Sequence, residues 1–212
     1  MSLLSLADPA ALKGPDWPAL LDAAVLDQWA AQGYWVLDDL LPQPSLAALQ
    51  AHGASLALQP ARLTGAQLQQ TIRSDRIHWL EADAGIGAAY LDWLMALAQW
   101  LNRQFFLGIQ RVEAHFAEYA PGAFYALHRD NPAGRRERAV SGVFYLNAHW
   151  QPQEGGQIRL QDLQGQWHEW LPLANRLVLF DSDLLHEVLP ATRPRQSIAS
   201  WLRRDALPAH LV

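Results

Sequence analysis

From about residue 109 the chain is a succession of short runs in which apolar and polar residues alternate, separated by Gly, Pro or Asn. The runs are "IQRVEAHFAEY", "FYALHRD", "AVSGVFYLN", "GGQIRLQD", "WHEWLPL", "NRLVLFD" and "RQSIASWLRR". Successive side chains of a strand point to opposite faces, so a period-two run reads as a strand with one face turned inward. Seven or eight short strands at this spacing predict a sandwich or barrel and argue against a parallel sheet.

The first hundred residues have a different period. In "WPALLDAAVLDQWAAQG" Trp17, Leu20, Leu21, Ala24, Val25 and Trp29 recur at helical spacing, with Asp16 placed to cap the helix and Gly33 to end it. "YWVLDDLL" reads as a strand. Ser45 is the expected cap of a second helix, "LAALQAHGASL", and "AAYLDWLMALAQWLNRQF" is a third with an apolar stripe. The polar segment "ARLTGAQLQQTIRSDRIHWLEADAG" between them reads as a long loop or hairpin. No repeat or low-complexity linker divides the chain, so helices and strands are expected to pack as one unit.

The 212 residues are half hydrophobic and include 10 tryptophans, enough to bury a substantial core. A net charge of -5 argues against a protein whose main affinity is for phosphate backbones, and no nucleic-acid partner is expected. There is no cysteine, which excludes disulfides, iron-sulfur clusters, thiolate zinc sites and a cysteine nucleophile. Any metal must sit on His, Asp, Glu or water. The first residues lack a basic segment followed by a long apolar run, and nothing approaches the ~18 apolar residues of a membrane helix. The expectation is a soluble cytoplasmic protein without a membrane partner.

Of the 8 histidines, His52, His78, His149, His168 and His210 read as surface or structural. His128 and Asp130 stand two apart in "YALHRDNPAG", and on a strand such a pair converges on one spot. His186 follows "NRLVLFDSDLL" and precedes "EVLP", at a strand start beside a turn. Two histidines and a carboxylate from separate strands compose the facial triad of a non-haem Fe(II), which leaves open positions on the metal. H-x-D alone is common and in isolation reads as a surface pair. Arg195, nine residues after His186, changes the odds. In "RQSIASW" it shares one side with Ser197, Ala199 and Trp201, and an arginine fork beside a hydroxyl suits bidentate capture of a carboxylate in a dry pocket. The basic run "GRRER" at 134 to 138 reads as a solvated turn.

Together "YAPGAFYALHRD", "VFYLNAHW", "EGGQIRL" and "NRLVLFDSDLLHEVLPATRPRQSIASW" resemble the Fe(II)- and 2-oxoglutarate-dependent prolyl 4-hydroxylases. The closest branch is that of the hypoxia-inducible-factor prolyl hydroxylases and their bacterial homologues. The likeness runs over roughly residues 27 to 204, with "GYWVLDDLL" and "IRSDRIHWLEA" similar to segments ahead of the family's barrel. It implies a mainly β fold with supporting α-helices: a double-stranded β-helix, the jelly-roll, cupin-like core. The implied organisation is a single oxygenase domain over 1–212, with 1–108 as helical support and substrate-loop region and 109–204 as the jelly-roll catalytic core.

The resemblance also assigns roles. His128, Asp130 and His186 would bind iron, and Arg195 would pair with the C5 carboxylate of 2-oxoglutarate. Tyr145 matches a tyrosine that hydrogen-bonds the same carboxylate, and Tyr119 one that lines the cosubstrate pocket. Trp201 and Ile158 match pocket walls, and Ser197 lies beside Arg195. A buried core position remains the competing reading for Trp201 and Ile158. His115, on the strand face of Tyr119, reads as a structural histidine near the pocket.

The implied cofactors are Fe(II), 2-oxoglutarate as cosubstrate and O2, with ascorbate as reductant. The reaction releases succinate and CO2 and hydroxylates a substrate carbon. The implied partner is an intracellular protein with an exposed proline, a translation factor among the candidates. Residues 60 to 76 are the candidate substrate lid, with Asp75, Trp79 and Arg62 as candidate substrate contacts. Two alternatives stand beside this reading: the same chemistry on a free amino acid, another small molecule or alkylated nucleic acid, and a catalytically silent jelly-roll module that binds metal and 2-oxoglutarate. The nucleic-acid repair branch carries a second arginine where this chain has Trp201.

Overall fold

The structure, a computed structural model, describes residues 13–61, 74–81, 85–131 and 135–206. The first predicted helix is two. Asp16 accepts a hydrogen bond from Ala19 N and caps α1 (Trp17–Leu20), while Asp22 accepts one from Val25 N at 3.1 Å and caps α2 (Ala23–Gln32). Apolar periodicity runs unbroken across both, so it could not reveal the interruption at Leu21 and Asp22. Gly33 ends α2 in the left-handed conformation, φ 79°, with its N–H on the Trp29 carbonyl. The third helix, α3 (Gln43–Ser55), starts behind Pro42, ahead of the expected cap; the Ser45 hydroxyl instead donates to the Lys13 carbonyl at 2.9 Å. The long helix α4 (Gly85–Phe105) matches its predicted stripe, burying Tyr90, Leu94, Leu97 and Leu101.

The strands in chain order are β1 (Tyr34–Leu37), β2 (Gln59–Pro60), β3 (Asp75–Trp79), β4 (Arg111–Tyr119), β5 (Tyr125–His128), β6 (Arg138–Tyr145), β7 (Ile158–Gln161), β8 (Trp167–Trp170), β9 (Leu177–Asp181), β10 (His186–Val188) and β11 (Arg195–Arg203). All pair antiparallel, in a larger sheet ordered β1-β9-β6-β11-β4-β3-β2 and a smaller one ordered β5-β10-β7-β8. The sheets face each other as a jelly roll. β3 falls within the segment read from sequence as loop or hairpin. Its five residues pair with β4 from Asp75↔Tyr119 to Trp79↔His115, a long-range contact that its local pattern does not announce.

Strand alternation sorts two cores. Ala114, Phe116, Val140, Phe144, Leu177, Leu179, Ile198 and Leu202 point out of the barrel onto the helices, meeting Trp35, Leu49, Leu94, Leu97 and Leu101. The alternate residues Tyr145, Val178 and Phe180 point inward and meet Ile158 and Leu160 of the smaller sheet. β9 is thus covered on both faces, which explains why "LVLF" is a continuous apolar run. Each such leucine contributes about 1.5–3 kcal/mol when fully buried. On β11 the same alternation sends Arg195, Ser197 and Trp201 inward. Among the described residues no helix is long and apolar enough to cross a membrane.

At one end of the larger sheet Glu113 accepts from Arg203 at 2.8 Å and Arg111 at 3.0 Å, and Asp205 accepts from Arg203 at 2.7 Å and Arg111 at 2.8 Å. Burial works to raise both carboxyls, but the arginines outweigh it: Glu113 is held below its ordinary 4.5, and Asp205 is brought down to about 2. A carboxyl lowered on folding contributes stability that is present above its unfolded pKa and is lost as pH falls through the folded one. Unfolding free energy from denaturant titrations should therefore drop between pH 5 and pH 2. Glu113→Gln should flatten that pH dependence, and an unchanged slope would remove Glu113 from its cause.

Candidate active site

His128 closes β5 and His186 opens β10, and the two are register partners across that pair. Their ring centroids lie 4.1 Å apart. Asp130 lies beyond the end of β5, so the two-residue strand argument does not place it; the bend after β5 does, with Asp130 N donating to the Ser182 carbonyl at 3.1 Å. One ligand atom from each of the three falls within 4.8 Å of the others. His128 Nε2 is 3.7 Å from Asp130 Oδ1, and His186 Nε2 is 3.8 Å from Oδ2.

The far nitrogens fix the tautomers. His128 Nδ1 meets the Ala126 carbonyl at 2.7 Å and His186 Nδ1 the Leu184 carbonyl at 3.0 Å. A carbonyl only accepts, so each Nδ1 carries a hydrogen, and Nε2 is the nitrogen each ring turns toward Asp130 and offers to a metal. Burial pushes His186 down to about 4, which keeps its imidazole neutral at pH 7. Burial works to raise the Asp130 carboxyl, but the two histidines and the Ser141 hydroxyl hold it well below the carboxylate range. Two imidazoles and one carboxylate on one side of a cavity are a donor set that fits Fe(II) with positions to spare. Tyr125 stacks on His128 at 3.6 Å and Phe180 lies 4.6 Å from His186, so both rings are wedged in place.

The cavity these residues face is about 820 Å³ and takes walls from both sheets. Arg195 lines it although only 1 % exposed. Its Nε donates to the Gly156 carbonyl at 2.9 Å and its Nη2 to the Tyr145 hydroxyl at 3.2 Å. The guanidinium lies 5.1 Å from the Tyr119 ring and 4.9 Å from the Tyr145 ring. Among the described residues no carboxylate is within ion-pair distance of it. A buried cation without a counter-ion costs several kcal/mol unless something anionic meets it, and a carboxylate ligand fits that requirement. Burial pushes the Tyr145 phenol up, so it keeps its proton; having accepted from Arg195, it has that proton left to donate.

Tyr119, Ile158, Ser197 and Trp201 line the same cavity, as does His115, which is buried between Trp79 and Trp201. Trp79 stands at the rim, 47 % exposed. Asp75 is 3 % exposed and does not line the cavity. Arg62 and most of the expected lid lie outside the described residues. Among the cavity residues that the sequence reading did not assign to the site, two touch the candidate metal group or its neighbours. Ser141 donates to Asp130 Oδ2 at 2.6 Å, and the Arg138 guanidinium covers the Trp201 ring at 4.1 Å. The one signal for Ser141 was its place in "AVSGVFYLN", two and four residues from the inward Val143 and Tyr145. Arg138 was read with a solvated turn, but it begins β6.

A profile of the 2OG-Fe(II) oxygenase superfamily matches residues 114–203. Among solved structures, a Pseudomonas putida prolyl-4-hydroxylase is 40 % identical, aligned over 87 % of this chain and 99 % of its own, with a TM-score of 0.77. The chain belongs to the Fe(II)- and 2-oxoglutarate-dependent prolyl 4-hydroxylase family. A Trichoplax adhaerens prolyl hydroxylase, in complex with a hypoxia-inducible-factor peptide fragment, is 26 % identical over 85 % of this chain and 87 % of its own, TM-score 0.72. A Phytophthora capsici prolyl 4-hydroxylase is 25 % identical over 87 % of this chain and 63 % of its own, TM-score 0.67. This family member is a 2-oxoglutarate-dependent non-haem iron dioxygenase that uses Fe(II), 2-oxoglutarate and O2.

Proposed function

We propose that this dioxygenase hydroxylates a prolyl residue of a protein, with Fe(II) held by His128, Asp130 and His186 and the C5 carboxylate of 2-oxoglutarate held by Arg195 and Tyr145. The observation that carries the reading is the Arg195 guanidinium, buried without a carboxylate partner among the described residues and opening onto the cavity that the His-Asp-His group also faces. Ferrous iron with 2-oxoglutarate and dioxygen supplies oxidative decarboxylation to succinate and CO2, coupled to insertion of one oxygen atom into a C–H bond.

The chain's own residues bind, orient and exclude water. Arg195 donates through its remaining N–H groups and Tyr145 through its phenol proton, which aligns the dicarboxylate along the cavity. Tyr119 and Ile158 wall the cosubstrate, Ser197 adds a hydroxyl beside it, and Phe180 and Val188 keep the cavity floor dry. His128 and His186 hold the metal through Nε2 and move no proton. The cavity lies toward the upper end of the roughly 300–1,000 Å³ of small-ligand sites, leaving room for a substrate side chain beside the cosubstrate. The half-exposed Trp79 at its rim offers a platform for a proline-containing segment.

The prolyl assignment is supported by the names of the relatives, one of which is seen with a peptide. The single-domain reading, 1–108 supporting a core over 109–204, is supported by β1 and β3, which continue the larger sheet on either side of core strands.

The test is succinate formation by anaerobically Fe(II)-loaded protein exposed to air, with and without proline-containing peptides and with the translation factors of its host. Stimulation by one of them, with one added oxygen mapped to a proline by mass spectrometry, is the expected result. Stimulation by a free amino acid alone would overturn the protein-substrate assignment.

A further inference from the structure

One oxygen of the Asp130 carboxylate is already spoken for. Ser141 Oγ donates to Oδ2 at 2.6 Å and Trp201 Nε1 donates to the same atom at 2.9 Å. The convergence follows from register, because Ser141 and Trp201 are direct partners across β6 and β11 and project from the same face of the sheet. Both donors are oriented from behind. Ser182, fully buried after β9, lies 2.8 Å from Ser141 Oγ. Ser141 gives its only hydrogen to the stronger acceptor, the carboxylate, and so accepts from Ser182. The indole is held by the Arg138 guanidinium over its ring at 4.1 Å and by His115 at 5.2 Å.

We propose that Ser141 and Trp201 form a two-donor clamp on Asp130 Oδ2 that restricts the carboxylate to one metal bond through Oδ1, and so sets how many positions remain for a chelating 2-oxo acid. The inference rests on His128, Asp130 and His186 being the metal ligands. Two donors occupy the lone pairs of Oδ2, and turning that oxygen to the metal breaks both bonds inside a buried site. A carboxylate freed from them can bind the metal through both oxygens, filling a position that 2-oxoglutarate or dioxygen needs. Ser141 and Trp201 are therefore positioning residues: they touch the ligand and leave the reacting atoms alone. Nothing in the order of the residues announces this, since a serine and a tryptophan 60 positions apart carry no metal-site spacing.

The test reads the metal and does not depend on turnover. Wild type, Ser141→Ala, Ser141→Thr and Trp201→Phe are compared for Mn(II) affinity, from the electron paramagnetic resonance of free Mn(II), and for the ligand-field absorption of bound Co(II), which reports coordination number. Loss of a hydrogen-bond partner to a metal ligand typically costs about 10–100-fold in metal affinity. Ser141→Ala and Trp201→Phe should weaken Mn(II) binding about 10-fold, a loss that the second metal–oxygen bond offsets only in part, alter the Co(II) spectrum before any cosubstrate is added, and raise the 2-oxoglutarate concentration needed to change it. Ser141→Thr, which keeps the hydroxyl, should match wild type. Natively folded Ser141→Ala and Trp201→Phe with wild-type Mn(II) affinity and Co(II) spectrum would overturn the clamp. So would a loss in Ser141→Thr equal to that in Ser141→Ala, because packing would then be the cause. Failure of the ligand set is a separate outcome: wild-type protein whose Mn(II) binding is untouched by His128→Ala would remove the triad assignment, and the clamp with it.

Discussion

His128→Ala is expected to reduce 2-oxoglutarate-dependent succinate formation to background while leaving the fold intact. In the proposed metal site the imidazole supplies one of three protein donors, and its Nε2 is the one that faces Asp130 Oδ1. With it gone, two donors remain, and the metal is expected to be held too weakly to survive desalting. The structural cost is small because His128 ends a four-residue strand at the rim of the smaller sheet, and its main contacts are to Tyr125 and His186. Circular dichroism and denaturant midpoint should stay near wild type, whereas bound iron, measured after anaerobic loading and desalting, should fall with activity. A control is His149→Asn, at an exposed turn position with φ 54° that asparagine tolerates, which should leave turnover unchanged. Wild-type turnover in His128→Ala would mean the metal sits elsewhere.

That prediction could be framed from sequence, and the reason is physical. β11 alternates strictly, so "RQSIASW" alone put Arg195, Ser197, Ala199 and Trp201 on one side, and all four line the cavity. His186 is flagged by the buried run that precedes it. What the sequence leaves out is anything made by distant pairing. β3 is a strand because β4 holds it, and its "DRIHW" pattern is too polar to declare itself. The break between α1 and α2 disappears under an apolar period that stays in phase across it. Asp130 reaches the site through a bend, not through strand alternation, and Ser141 becomes part of the site only because β6 is laid beside β11. Residue types with their own chemistry are legible one at a time; a serine acquires a role only from the neighbour that the fold supplies.

Arg195→Ala should leave an enzyme that still binds iron but needs far more 2-oxoglutarate. Truncating one member of a buried, hydrogen-bonded charge pair typically costs about 2–5 kcal/mol, which corresponds to roughly 30-fold to several thousand-fold weaker binding. The loss should appear in KM for 2-oxoglutarate more than in kcat at saturation, since in the proposed site Arg195 holds the end of the cosubstrate remote from the reacting carbon. Arg195→Lys keeps a charge but loses the fork that donates to Gly156 and Tyr145 together, so it should fall between the two. Tyr145→Phe removes one neutral donor, about 0.5–1.5 kcal/mol, and should raise KM by no more than about tenfold. Stability separates this role from a structural one. In the unliganded protein Arg195 is a buried cation with no carboxylate partner among the described residues, so its removal relieves a desolvation cost that offsets part of the lost packing and of the two lost hydrogen bonds, and the apo unfolding midpoint should fall far less than 2-oxoglutarate binding does. Ligand that binds only the folded state stabilises it by RT ln(1 + [L]/Kd). Added 2-oxoglutarate with Mn(II) should therefore raise the melting temperature of wild type and barely move that of Arg195→Ala. Equal shifts in both would sink the carboxylate clamp, whereas a lower apo midpoint with an unchanged KM would recast Arg195 as a strut tying Gly156 to Tyr145.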